Sequence, residues 1–500
     1  MIPTTEKNRV MRKRLSKSRG AALACAMLCL FVAAQAQVLA QADKAAQIDE
    51  MMKTYHGYRQ FNGAVLVAEG GKVIHKKGYG MANMEWNVPV ATDTRFRLGS
   101  ITKQFTAMLV LQLVQEGKVK LDAHVTDYLP DYRKDTGERV TVHQLLNHTS
   151  GIPSYTGLPG FFQDVSRNPY GVGDFVKRYA SGDLEFEPGT KFKYNNSGYF
   201  LLGAIIEKVT GKPYEVALRE RIFDPLGMKD SGYDHHDTIL AKRAAGYQKT
   251  PKGFVNAPYL DMSLPYAAGS LYSTVEDLYL WDQALYGDKL LSAQYKELMF
   301  KPGLQDYAYG WGVRKATLAP GKEVQVIRHD GGINGFNTLI VRMPETKNLI
   351  VLLNNTGGTK LDEMARNITA VLHGLPHRAP LRDISEALFN TVTEKNVEAA
   401  VKQYRDLKAA QAADYDFSEP QLNTLGYQLL GMKRVKDAIE IFKLNVEMFP
   451  QGFNTYDSLG EAYMVNGDKE LAIQNYKKSL ELNPQNAGAV EALKKLEAKQ

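Results

Sequence analysis

Residues 101–116 (ITKQFTAMLVLQLVQE) contain neither glycine nor proline, are apolar on most faces and stop at Gly117. That pattern predicts a helix, and a helix apolar nearly all round belongs inside a core. The run is entered through Arg95-Phe96-Arg97-Leu98-Gly99-Ser100, and Ser100-Ile101-Thr102-Lys103 is the only Ser-x-x-Lys in the chain. A free serine hydroxyl is a poor nucleophile and needs a base beside it. If the helix opens at residue 100, the side chain three positions on covers the same face, which sets Lys103 next to the Ser100 oxygen. The unpaired N–H groups of a helix start favour an anionic centre in the same place. Taken alone, the motif also reads as a serine N-cap followed by a surface lysine.

The pattern around this helix predicts the fold class. Residues 62–69 and 72–79 flank Gly70-Gly71 as a β-hairpin. A stretch rich in Gly, Pro and aromatic residues follows over 120–190, then a second apolar helix at 197–210 closed by Gly211. Short runs rich in β-branched and aromatic residues return at 308–316, 324–329, 336–343 and 348–354, and a helix at 360–373 closes the region. Strands, then helices, then strands again predict an α+β fold whose antiparallel sheet is assembled from both ends of the domain. No Gly-x-Ser-x-Gly surrounds Ser100 and no Gly-rich phosphate loop precedes a helix. A nucleophile-elbow hydrolase and a nucleotide enzyme both lose ground on that account.

Five hundred residues imply more than one domain. From 382 the composition turns to Ala, Glu, Lys and Leu with helical spacing, and a 34-residue period emerges. Leu425-Gly426 recurs as Leu459-Gly460, Ala438 as Ala472, Phe442 as Tyr476 and Pro450 as Pro484. Ala400 and Tyr404 echo the second helix of an earlier, degenerate unit. The period resembles the tetratricopeptide repeat, so an all-α repeat domain is expected over 382–500.

Residues 1–36 read as an export signal. A basic cluster at 7–19 precedes the apolar run 21–34 (AALACAMLCLFVAA), and Ala34-Gln35-Ala36 fits a small-x-small cleavage site. The apolar run is shorter than the ~20 residues that span a bilayer. The expectation is a periplasmic or secreted protein, held at a membrane only if the leader stays uncleaved, with Met11 as an alternative start. Both cysteines, Cys25 and Cys29, fall in this segment. The rest of the chain therefore offers no disulfide, thiol nucleophile or Cys-ligated metal. The leader also accounts for most of the net charge of +7: it holds seven basic residues and one glutamate, leaving 55 basic against 54 acidic. Nothing in that balance calls for a nucleic-acid partner.

Two further motifs can complete a site around Ser100. Tyr194-Asn195-Asn196 precedes the second apolar helix. A phenol beside a lysine ammonium has its pKa lowered and can move protons, and Asn196 offers a donor and an acceptor to an amide or ester. His329-Asp330-Gly331-Gly332 ends a predicted strand, where glycines let a substrate approach the strand edge. The N–H of Gly332, paired with that of Ser100, can hold a developing oxyanion. His329 can bind a substrate carboxylate or tune the tyrosine. His148 is read as a loop-shaping residue, and the adjacent His235-His236 lack a carboxylate at metal-ligand spacing.

Ser-x-x-Lys, Tyr-x-Asn and His-x-Gly in this order resemble the serine β-lactamase and penicillin-recognising family, nearest to class C β-lactamases, D-alanyl-D-alanine carboxypeptidases, D-aminopeptidases and related esterases. His148-Thr149-Ser150-Gly151, Ala268-Gly269-Ser270-Leu271-Tyr272-Ser273 and Tyr309-Gly310-Trp311-Gly312 are similar to the same family. The resemblance covers roughly 45–375. It implies an antiparallel sheet covered by helices, with the active site between the sheet and a helical region holding Tyr194. It implies Ser100 as acyl-accepting nucleophile, Lys103 as its base and Tyr194 as proton carrier. Asn196, His329, Gly331 and Gly332 would bind substrate, and neither metal nor cofactor is needed. His329 stands where class C β-lactamases have lysine, which puts efficient β-lactam hydrolysis in doubt.

The function expected is acyl transfer to an ester, amide or β-lactam. The alternatives are a D-amino-acid-directed peptidase acting on cell-wall peptides, or an inactive scaffold whose repeat domain recruits a protein partner.

Overall fold

The computed structural model describes residues 42–498, so the export leader expected at 1–36 lies outside the described residues. The fold is α+β with an antiparallel sheet and a helical repeat region, and it divides into two units. The first takes the chain up to Gln248 together with Asn256–Arg378. The second takes Lys249–Val255 and the chain from Ala379 onward.

A six-stranded sheet organises the first unit. Its spatial order is Gly312–Ala319, Lys322–Ile333, Phe336–Met343, Asn348–Asn354, Gly63–Glu69 and Lys72–Tyr79. Every neighbouring pair is antiparallel. Strands from the two ends of the unit meet where Gly63–Glu69 pairs with Asn348–Asn354, with Leu66 opposite Val351. Asn348–Asn354 is buried at every position and Gly63–Glu69 at every position but the last. Alternation explains it. Ala64, Leu66, Val351 and Leu353 enter one core, while Val65, Val67, Ile350 and Leu352 enter another. The second core is closed by the helix that runs to residue 57, through Ile48 and Met52, and by Leu361–Leu372, through Met364 and Ile368. Strands covered on both faces read as continuous apolar runs, which is how they stand in the sequence.

The first core holds the two apolar helices. Thr102–Gln115 is buried at every residue from Thr102 to Leu113, and Gly117 (φ +72°) follows its end. Asn196–Thr210 is capped by Asn195, whose side chain accepts from the Gly198 N–H at 2.8 Å, and ends on left-handed Gly211.

The second unit is built from the helices Ile384–Glu394, Val397–Ala409, Glu419–Gly431, Val435–Met448, Phe453–Asn466, Lys469–Leu482 and Ala487–Glu497. Its period has a packing cause. A side chain at Gly426 would come within 2.4 Å of the Phe442 ring, and one at Gly460 within 3.2 Å of the Tyr476 ring. In both repeats the glycine lets an aromatic ring of the next helix lie against the backbone. Ala400, Ala438 and Ala472 are all fully buried, as small residues between helices must be. No helix among the described residues is long and apolar enough to cross a membrane.

Candidate active site

The turn that carries Ser100 is pressed against the end of strand Lys322–Ile333. Gly99–Ile101 forms a 3-10 turn leading directly into helix Thr102–Gln115. Gly99 is left-handed (φ +55°), and a side chain there would meet Gly332 backbone atoms at 3.0 Å. A side chain at Gly331 would lie 2.0 Å from the Leu98 carbonyl oxygen and 2.3 Å from Thr338 Oγ1. Thr338 Oγ1 donates to that same carbonyl at 2.7 Å. The sequence reading opened both glycines to substrate. Instead Gly331 is buried and makes room for the serine turn, while Gly332 is exposed and faces the cleft.

Lys103 is completely buried. Its three N–H donors meet Ser100 Oγ at 3.0 Å, Asn196 Oδ1 at 2.9 Å and the Ala268 carbonyl at 2.8 Å. Its Nζ also lies 4.9 Å from the centre of the Tyr194 ring. Loss of water drives the Lys103 pKa down to about 7, against the pull of the Asp330 carboxylate. Three sequence motifs thus converge on one ammonium. Tyr266–Gly269 places the Ala268 carbonyl, and Gly310 (φ +76°) lies so close to the lysine backbone that a side chain would meet the Lys103 carbonyl at 2.8 Å.

A side-chain interaction joins Tyr194 to Ser100, and 37 % of the tyrosine's surface is open to the cleft. Its phenol behaves opposite to the sequence expectation. Protein crowding around the phenol oxygen, rather than cover over the whole ring, raises its pKa above the ordinary range, the Ser100 contact lowers it, and Asp330 raises it further. The reason is that Lys103, itself desolvated toward neutrality, supplies little positive charge to favour a phenolate.

Asn196 opens its helix. Its Nδ2 donates to Thr156 Oγ1 at 3.1 Å and its backbone N–H to Ser154 Oγ at 3.2 Å. His329 is 6 % exposed with both ring nitrogens engaged. Its Nδ1–H donates to the Asp330 carbonyl at 2.6 Å, so Nε2 accepts from the Tyr307 hydroxyl at 2.9 Å. Burial and the Lys103 charge press its pKa down to about 4, leaving it neutral. A neutral ring committed to two protein partners is not a cationic anchor for a carboxylate.

Sequence reasoning missed Tyr307, Ser154 and Thr156, and set His148 aside. Only its place two residues before Tyr309-Gly310-Trp311-Gly312 marks Tyr307 in the sequence. His235 meets Glu215 and His236 the Leu260 carbonyl, so that pair diverges.

Two chambers meet at Ser100. One, of about 350 Å³, is walled by Tyr155, Phe161, Phe162, Leu264 and Phe336 and borders Asn196 and Gly332. The other, of about 500 Å³, is polar and is lined by Tyr194, Tyr307, Arg314, Arg328, His329 and Asp330. Of the aromatic residues between 150 and 200, some line the cleft while Phe175 and Phe200 stack in the core at 4.4 Å.

Compared with known proteins, residues 45–374 fit the Beta-lactamase family and residues 453–486 the Tetratricopeptide repeat. A penicillin-binding protein of Bacillus subtilis (strain 168) is 30 % identical over 364 residues, spanning 68 % of this chain and 78 % of its own. Esterase EstB of Burkholderia gladioli is 34 % identical over 205 residues, 38 % of this chain and 52 % of its own. The crystal structure of D-amino acid amidase from Ochrobactrum anthropi SV3, complexed with L-phenylalanine amide, superposes with a TM-score of 0.56 at 27 % identity. It covers 67 % of this chain and 98 % of its own. The chain belongs to the beta-lactamase family, whose members here are serine hydrolases, and it carries a tetratricopeptide repeat in addition.

Proposed function

We propose that this chain hydrolyses esters or amides with an apolar acyl group, through a covalent acyl-serine intermediate. The observation that carries the reading is the buried Lys103 ammonium 3.0 Å from Ser100 Oγ, with a pKa brought down to about 7. A base poised near neutral pH can take a proton and return it. Neutral Lys103 accepts the Ser100 proton as Oγ attacks the substrate carbonyl. The amides of Ser100 and Gly332 hold the oxyanion. Tyr194, whose high pKa keeps its proton at hand, passes it to the departing oxygen or nitrogen and regains one from Lys103. Water then attacks the acyl-serine carbonyl, giving up its proton by the same route, and Ser100 leaves with it restored.

Asn196 orients the substrate amide or ester. The acyl group takes the aromatic chamber beside Asn196, and the leaving group takes the polar one beside Tyr194. Volumes of 350 and 500 Å³ suit small ligands. Neutral His329 weighs against β-lactams and carboxylate-ended peptides, and the esterase and amidase among the relatives favour the reading.

Intact-mass labelling tests this. A fluorophosphonate should add one adduct to the protein and none to Ser100→Ala, and p-nitrophenyl butyrate should turn over faster than penicillin G. No labelling at all would end the acyl-serine reading in favour of an inactive scaffold, and labelling of Ser100→Ala would place the nucleophile on another residue.

We also infer export directed by residues 1–36, to be checked by N-terminal sequencing of the protein recovered from cells. The working limits 45–375 and 382–500 for hydrolase and repeat domains predict first proteolytic cleavage between 375 and 382. The repeat region is read as a binding surface for a protein or peptide.

A further inference from the structure

His148 lies outside the set of residues that would touch substrate, yet its contacts converge on Tyr194. Its carbonyl accepts from the Lys193 N–H at 3.0 Å, and its Nδ1 accepts from the Asn195 N–H at 3.1 Å. The residues on each side of Tyr194, Lys193 and Asn195, are therefore both tied through their backbone N–H groups to one residue. The imidazole itself lies against the phenol, with ring centroids 4.3 Å apart, and packs at 4.6 Å from Tyr307 and 5.1 Å from Tyr199. His148 is 1 % exposed and holds a left-handed backbone (φ +61°), uncommon outside glycine. Nε2 has no hydrogen-bond partner among the described residues, so the bond to Asn195 is what fixes the tautomer, with the proton on Nε2.

We infer that His148 is the positioning residue for Tyr194, holding the phenol where it can hand a proton to the leaving group. This rests on the proposed role of Tyr194. A strained, buried residue that grips the residues before and after a reacting side chain is costly as a mere loop corner. As a clamp its features fit together. Only an acceptor at Nδ1 can bind the Asn195 N–H, so the ring must be neutral, and burial beside Lys103 and His329 pushes its pKa well below the ordinary value.

The test exploits leaving-group chemistry. A p-nitrophenolate leaves without help, whereas an alkoxide needs a proton, so a misplaced phenol penalises poor leaving groups selectively. Simple loss of folded enzyme lowers all rates alike. We would measure kcat/KM for p-nitrophenyl, phenyl and ethyl butyrate on wild type, Tyr194→Phe, His148→Gly and His148→Asn, with circular dichroism to confirm folding. Glycine relieves the left-handed backbone and removes both ring and acceptor. Asparagine tolerates the same backbone and keeps an acceptor for the Asn195 N–H.

The expected order of selectivity against the ethyl ester is wild type, then His148→Asn, then His148→Gly, up to that of Tyr194→Phe. His148→Gly should lose at least about tenfold more rate with the ethyl than with the nitrophenyl ester, the low end of general-acid effects. A folded His148→Gly whose losses are equal across the three esters overturns the inference. If His148→Gly does not fold, His148→Asn decides alone: selectivity between wild type and Tyr194→Phe supports the clamp, and selectivity equal to wild type overturns it. If Tyr194→Phe itself loses rate equally on all three, the proton-carrier reading of Tyr194 has failed instead.

Discussion

The repeat unit and the Ser100 site use the same device over very different distances along the chain. In the repeat, Gly426 receives the Phe442 ring and Gly460 the Tyr476 ring, each from the next helix of its own unit. At the candidate site, Gly331 receives the carbonyl of Leu98, and Thr338, 240 residues from Leu98, bonds it. All three glycines exist because another group needs their space. The repeat writes that need into the sequence twice, 34 residues apart. The site writes it once, in two pieces that only folding brings together. A local, repeated contact stabilises its own neighbourhood, whereas a long-range contact also positions chemistry. Damage should therefore separate cleanly: function lost at the site with the repeats intact, and stability lost in the repeats with function intact.

The largest effect expected is on Ser100. Ser100→Ala should reduce ester turnover by at least about 10³-fold, as removal of a nucleophile does, while the urea unfolding midpoint of the repeat helices stays put. Residual turnover near wild type, by stopped assay on p-nitrophenyl butyrate, would break the comparison at once.

A second effect comes from the lysine. With its neutral form as the proposed base and its pKa near 7, kcat/KM should rise about tenfold per pH unit below that value and flatten above it. His329, held near 4, stays neutral through that window and adds no limb of its own there. Asp330 supports the ammonium, so Asp330→Asn should move the limb to lower pH. A limb that stays in place would mean that Lys103 is not the group titrating.

Smaller effects belong to the repeat. Gly426→Ala puts a methyl 2.4 Å from the Phe442 ring and should cost about 1–2 kcal/mol, overpacking offset in part by better helix propensity. At Gly460 the corresponding contact is 3.2 Å. There the roughly 0.8 kcal/mol gained from replacing a helical glycine should nearly cancel the strain. Denaturant melts of the two variants would sharpen the difference. Turnover should match wild type in both.

Much of the fold was legible because it is written in local periods. The strands at 336–343 and 348–354 and the helices ending at Gly117 and Gly211 lie where alternation, apolar runs and turn residues put them. The pairing of strands from both ends followed from their order. The candidate site was legible as a set of motifs, and the structure brings Ser100, Lys103, Tyr194 and Asn196 together. Tyr307 was not legible, because nothing near it in the chain announces a bond to His329.

By itself the sequence determined the α+β order, the buried helix behind Ser100, the repeat and which side chains were available for chemistry. These depend on the spacing of neighbours along the chain. Only tertiary structure decided that the Lys103 pKa falls to about 7, that the Tyr194 pKa is raised rather than lowered, that the His329 pKa falls to about 4, and that Gly332 rather than Gly331 faces the cleft. Those properties arise from the loss of water and from charges and carbonyls a few ångströms away in space, 93 residues off for Asn196 and 165 for Ala268.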